Sequence, residues 1–400
     1  MTDRSAVSAP GRAPARAWPL TSLLTACMAF SMIQLFLLGA LGPLLVDELD
    51  VSPVVLGLTT TIGFGTAAVL SPLGGRIVDH VGSRRSLMVL LLAAGGALAL
   101  IGSAPGPGLL LCAVALGGIP QALANPATNT AVLAVVPAER RGAVLGTKQS
   151  GVQLGAFAAG LPLAALAGGL GWRSAFWAAA VGALLLAWGT WRALPPERPR
   201  RAAAGVRAGY AFRGMVARLA VFSLLLGAAI ASVNTYLTLY GVRALSMGAT
   251  EAGVLVAVLG VAGVVGRVGW ARVARPGRAE WLPGLLALGA VGAVAMLIAS
   301  RDVPPLVWVG AAGIGLLAVS ANAVTMVLVV QRSLPGRAGH DSALVAAGFF
   351  AGFALGPPVF GLLMQAERYG AAWLLVACEL AAAGVVAVAW AHRDRRAAAR

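Results

Sequence analysis

Long apolar runs alternate with short polar breaks along almost the whole chain. A helix crosses about 30 Å of hydrocarbon with roughly 20 apolar residues. By that measure we read spans at 19–46, 51–73, 86–103, 108–136, 142–168, 174–192, 216–242, 250–273, 281–300, 304–331, 342–365 and 371–391. Backbone groups in hydrocarbon have no water to bond, so apolar runs of this length are helices. The predicted fold class is an all-α integral membrane protein of twelve transmembrane helices. Gly and Pro inside 108–136 and 342–365 are tolerable where neighbouring helices meet the freed backbone groups.

Composition agrees with this pattern. Of the 400 residues, 59% are hydrophobic and 11% charged, against about 25% charged in a soluble domain. Such a chain cannot cover a water-facing surface. The net charge of +16 would suggest nucleic acid in a soluble protein. Here the bases fall in alternate breaks, which is a topology signal, so no nucleic acid is expected as a partner. One set of breaks holds Arg76, Arg84 and Arg85; Arg140 and Arg141; the arginines from Arg198 to Arg213; Arg272, Arg275 and Arg278; and Arg332 and Arg337. Both termini belong to this set. The other holds only Arg173, Arg243, Arg301 and Arg368, together with the acids Asp47, Glu48 and Asp50. The bias places both termini in the cytoplasm and the protein in the inner (plasma) membrane, and it requires an even number of spans.

Arg4, Arg12 and Arg16 precede the first run as in a signal peptide, but the run is too long for one and reads as a retained span. The longest polar break, rich in Arg and Pro, lies near the middle. The expected organisation is a tail at 1–18, a six-helix bundle at 19–192, a linker at 193–215, a second bundle at 216–391 and a tail at 392–400. The halves resemble each other at corresponding places. Gly75-Arg76-Ile77-Val78-Asp79 parallels Ala271-Arg272-Val273-Ala274-Arg275. Gly151, Gly155, Gly160 and Pro162 parallel Gly348, Gly352, Gly356 and Pro358. Internal repeats are common in secondary transporters, and two pseudo-symmetric bundles are expected.

The loop from Gly75 through Asp79, His80 and Gly82 to Arg84 and Arg85 resembles the signature between the second and third helices of the major facilitator superfamily, with His80 where a base is usual. The break Pro137-Ala138-Glu139-Arg140-Arg141-Gly142 is similar to the family's next cytoplasmic loop. The resemblance implies that Asp79 contacts the start of the eleventh helix near Ser342 and a base near Arg140, latching a cytoplasmic gate with Gly75, Gly82, Arg84 and Arg85. It implies a monomer and a central cavity lined by helices one, four, seven and ten. Ala113 and Val114 occupy the places where the family often has a fourth-helix Arg. The drug-exporter pattern of the fifth helix is partial: Gly160-Leu161-Pro162, then Gly168-Gly169. The run Gly146-Thr147-Lys148-Gln149-Ser150-Gly151 is similar to one in cyanate-permease-like facilitators. On the gate assignment, Asp79→Asn is expected to slow or abolish flux while insertion stays intact. Normal turnover in that variant would remove Asp79 from the gate.

Polar side chains in lipid usually face a cavity or a partner helix. Gln121, Asn125 and Asn129 are spaced i, i+4, i+8, and Gln149 and Gln153 are spaced i, i+4. At about 1.5 Å per residue, Gln121 falls level with Gln153 and Asn125 with Gln149, as one polar wall. Gln34, Asn234, Tyr236 and Asn322 complete the expected cavity. Lys148, the only lysine, is either a snorkelling charge or a cavity cation favouring an anionic substrate. Glu379 is a candidate proton site, or a neutral hydrogen-bonded acid; Arg267 is another charge within a span.

No nucleotide-binding loop is present. His80, His340 and His392 lie at the edge and are unclustered, and Cys27, Cys112 and Cys378 lack ligand spacing. A metal, a cofactor and a membrane-embedded enzyme are therefore not expected. The function read from the chain is alternating-access transport of a small solute, a small organic anion, driven by a proton or ion gradient or running as a facilitator. The alternative is efflux of amphipathic compounds by proton antiport. Its partners are a small-molecule substrate and the lipid bilayer.

Overall fold

The computed structural model describes residues 17–194, 214–273, 280–332 and 338–398. Most of the expected linker at 193–215, the tail at 1–16, and the segments carrying Arg275, Arg278 and Arg337 lie outside these residues. The described chain is helical and contains no strand. Among the described residues, twelve helices are long and apolar enough to cross a membrane.

We number the spanning helices in order. They are α1 (Ala17–Ala40), α2 (Pro53–Val81), α3 (Ser83–Gly102), α4 (Pro107–Leu116 and Gly118–Val135), and α5 (Ala138–Gln149, Gly151–Ala158, a π-helical turn Ala159–Leu163, Ala164–Leu170). There follow α6 (Trp172–Ala193), α7 (Gly214–Leu245), α8 (Ala249–Val273) and α9 (Leu282–Ala299). The last are α10 (Leu306–Ile314, a π-helical turn Gly315–Val319, Ser320–Arg332), α11 (Ala338–Gln365) and α12 (Tyr369–Ala398). Ala17 and Ala398 lie at what we term the near end of the bundle. The far end carries the short helix Gly42–Glu48.

Three boundaries differ from the sequence reading. The run 19–46 splits, because the helix stops at Ala40 and a short helix with Pro43 in its first turn follows. That short helix is tied to α6: Trp172 Nε1 donates to Glu48 Oε2 at 2.8 Å, with Arg173 Nη1 3.4 Å from the same oxygen. The expected loop 75–85 is mostly helix. Ser52 caps the start of α2, and the helix continues to Val81. The turn is the single residue Gly82, whose φ of +87° a side chain would strain. The tail expected at 392–400 is helical through Ala398.

The repeated glycines explain the packing of both halves. In α5, a Cβ at Gly151 would lie 2.0 Å from the Thr25 carbonyl oxygen and one at Gly155 3.0 Å from that of Ala29, both on α1. In α11, a Cβ at Gly348, Gly352 or Gly356 would lie 2.4, 2.0 or 2.5 Å from the Ala220, Leu224 or Ala228 carbonyl oxygen on α7. The same backbone-to-backbone approach thus joins the fifth helix of each half to its first. Small residues allow this in lipid, where no hydrophobic force drives helices together and association rests on close packing.

Candidate functional site

The halves meet along α1–α7, α2–α11 and α5–α8. Toward the far end they are tied by polar bonds between groups on opposite halves. Thr60 and Thr235 share a hydroxyl hydrogen bond of 3.0 Å. Tyr236 Oη donates to the Pro53 carbonyl at 2.6 Å, Thr61 Oγ1 to the Ala354 carbonyl at 2.6 Å, and Thr238 to the Gly39 carbonyl. Phe64 packs on Phe353 at 4.4 Å between ring centroids. A hydrogen bond contributes about 0.5–1.5 kcal/mol net. Four of them give a few kcal/mol, the scale on which two conformations exchange.

Between this seal and the near end lies a small cavity formed by both halves. Its walls are largely apolar, with Met32, Phe36, Val152, Ile230, Phe349 and Phe353 among them. Four polar side chains line it: Gln153, Asn234, Arg267 and Asn322. Gln153 and Asn234 are each 3% exposed, and the side-chain oxygens of Gln153, Asn234 and Asn322 have no hydrogen-bond partner. Buried polar groups are normally paired, and these oxygens are open to a donor inside the cavity.

Of the expected cavity residues, Gln153, Asn234 and Asn322 are brought together there. The rest are placed elsewhere. Gln34 Nε2 donates to the Val114 carbonyl at 3.2 Å and braces α1 to α4 inside one half. Tyr236 is 0% exposed and belongs to the far-end seal, stacked on Phe360 at 5.0 Å. Gln121 is buried, and its side-chain oxygen is unpaired. Gln153 turns from the expected wall with Gln121 to pack over Gly263 of α8, where a Cβ would lie 2.9 Å from its Oε1. Asn125 and Asn129 are exposed. Lys148 is 1% exposed and donates to Thr128 Oγ1 at 2.6 Å, so it neither snorkels nor lines the cavity. Gln149 is half-buried beside it.

At the near end, Arg84 lies over the Trp191 ring and donates to its carbonyl. Arg85 and Arg140 are exposed, and Gly75 has open space beside it. The side chains of Asp79 and Ser342 lie outside the described residues. Glu379 is half-buried on α12, outside the cavity lining, with Oε2 unpaired. Among the described residues no group of His, Cys, Asp and Glu could hold a metal ion.

The sequence marks Arg267 only as a charge within a span; the structure places it in the cavity lining. Its signal was spacing on α8: Gly260, Gly263 and Arg267 fall on one face, opposite Gln153 and Gln149 of the antiparallel α5.

Twelve spans in two glycine-packed halves, closed at one end around a shared cavity, define a membrane transporter of the two-bundle type. The chain matches the Major Facilitator Superfamily over residues 24–346 and belongs to that family. It is thus a multi-pass membrane protein. A chloramphenicol resistance protein of Streptomyces lividans is 31% identical over 193 residues, 47% of each chain. The match therefore spans about half the length of that curated relative. The fold is similar to a bacterial homolog of the human lysosomal transporter Spinster in an inward-facing and occupied conformation. There the TM-score is 0.77 at 16% identity, covering 96% of this chain and 98% of that one. For the inward-facing, unoccupied conformation the TM-score is 0.69 at 16% identity, covering 95% of each. A point variant of the nucleoside transporter NupG gives 0.75 at 12% identity, covering 92% of this chain and 99% of that one. At these identities the likeness is one of fold.

Proposed function

We propose that the protein carries a small organic solute with an apolar body by alternating access around the cavity at its waist. The observation behind this reading is the cavity itself: apolar walls, three unpaired amide oxygens, and a seal at the far end only a few hydrogen bonds deep. Such a seal is reversible. The arginine bias puts the near end in the cytoplasm and the protein in the inner membrane. The conformation described would then open inward. The near-end residues Gly75, Asp79, Gly82, Arg84, Arg85 and Arg140 would form the opposing gate. The driving force would be an ion gradient or the solute's own.

Efflux of neutral amphipathic compounds is a second reading. The apolar walls and the chloramphenicol resistance relative favour it. Counterflow in proteoliposomes tests the function. Purified protein is first screened by thermal shift against small carboxylates and against neutral amphipathic compounds including chloramphenicol. Stabilising compounds are then loaded inside vesicles. Saturable, trans-stimulated uptake of the labelled compound is expected. Uptake equal to that of protein-free vesicles for every stabilising compound would sink the proposal.

Glu379 stands apart from the cavity, so Glu379→Gln is expected to keep any response of that uptake to an imposed pH gradient. Loss of the response, with uptake itself retained, would make Glu379 the proton site.

A further inference from the structure

We infer that Arg267 is the substrate-coordinating cation of this transporter, and that the solute carries a carboxylate or an equivalent anion on its apolar body. The inference rests on the waist cavity being the transport site and names the chemistry that site selects.

The geometry begins with a break in α5. The Gln153 amide bonds to the Ser150 carbonyl at 3.0 Å, three residues back instead of four. That shortened turn separates Ala138–Gln149 from Gly151–Ala158 and leaves the Gln149 carbonyl without its usual helical donor. Arg267 Nη1 of α8 reaches across the boundary between the halves to this carbonyl, at a long 3.4 Å. The guanidinium has five N–H donors, and its Nε is buried with no partner at all. No acid pairs with it among the described residues. A cation inside a membrane span, lining a cavity, is costly and by default functional.

A neutral carbonyl at long distance is a weak partner for such a group, whereas a planar carboxylate fits two of its donors at once. An anion entering from the near end would take the guanidinium from the Gln149 carbonyl. Its polar substituents would reach Gln153, Asn234 or Asn322, and its apolar body the Phe36, Phe349 and Phe353 side. Binding at Arg267 would thus loosen the one polar link described between α5 and α8, which belong to opposite halves. The cation expected at Lys148 is instead engaged with Thr128 inside one half.

The test compares two probe classes, salicylate and phenylacetate as aromatic carboxylates and chloramphenicol as the neutral amphipathic compound, on the full chain. Affinities come from calorimetry and exchange from counterflow. Wild type is expected to bind at least one carboxylate. In Arg267→Gln the carboxylate affinity relative to chloramphenicol should fall about 10- to 100-fold, as for loss of a charge-assisted bond. Arg267→Lys should keep part of that preference, since it retains the charge without the fork. An unchanged ratio in Arg267→Gln would overturn the inference. So would a wild type that exchanges chloramphenicol and binds neither carboxylate, although transport through the cavity would stand. A wild type that binds and exchanges none of the three overturns both. If Arg267→Gln proves unstable, Arg267→Lys decides alone: the same ratio as wild type for both carboxylates would count against a bidentate partner.

Discussion

Gly39→Val is expected to abolish transport while leaving a folded, membrane-inserted protein. At the far end α1 and α7 touch backbone to backbone. A Cβ on Gly39 would lie 2.0 Å from the Asn234 carbonyl oxygen and 3.1 Å from its carbon. No side-chain rotation relieves a clash with main chain. The two residues sit on opposite halves, however, so parting the halves removes the clash without disturbing either core. The variant should therefore rest with its far end open. Overpacking of this kind costs about 1–3 kcal/mol, and the upper end corresponds to more than a 100-fold shift against the closed state. Trans-stimulated uptake should fall by up to about that factor, with an elution profile and helicity like those of wild type. Gly39→Ala, which adds only the Cβ, should give a partial loss. Full turnover in Gly39→Val would show that α1 and α7 do not meet in the transport cycle.

Gly352→Val should fail in a different way. Its Cβ would lie 2.0 Å from the Leu224 carbonyl oxygen and 2.7 Å from the Ala228 amide. Both contacts are on α7, in the same half as α11. No rocking motion separates these helices, so the cost falls on the packing of the half itself. A destabilisation of about 3 kcal/mol or more is expected, read as a large drop in thermal unfolding temperature in detergent and poor recovery of protein. The pair of variants separates the two kinds of glycine contact: between halves it governs the cycle, within a half it governs folding. A Gly352→Val protein as stable as wild type would mean that α7 and α11 pack less closely than described.

The spans were legible because lipid leaves the chain few choices. An apolar run of 20 residues has to be a helix, and glycine repeats at matching places announced the duplicated packing that Gly151 and Gly352 provide. The ends of elements were less legible. Gly75 to Val81 reads as a loop because it is polar, yet helix continues beyond the hydrocarbon, and the sharp turn needs only Gly82. The cavity was half legible. Amides within spans stand out in the sequence, but hydropathy gives no rotation about the helix axis. Gln34 turned out to brace its own half, and Tyr236 to seal the far end. Lys148 drew attention as a lone lysine but is engaged with Thr128, whereas Arg267 is the cation in the cavity lining. That distinction depends on the broken turn at Ser150 and on which face of α8 meets α5. Both are matters of packing between helices distant in sequence.

Spin labels test the alternating seal most directly. One pair would sit at the far end, at Asp50 and Glu367, and a second at the near end, at Gly146 and Arg332, all exposed and on opposite halves. Pulsed dipolar distances are measured in nanodiscs, with and without a stabilising solute, in wild type and in Gly39→Val. Two exchanging populations are expected. Lengthening across the far pair should accompany shortening across the near pair, and Gly39→Val should hold the first long. Distances that stay single and unchanged in protein shown to transport would contradict it.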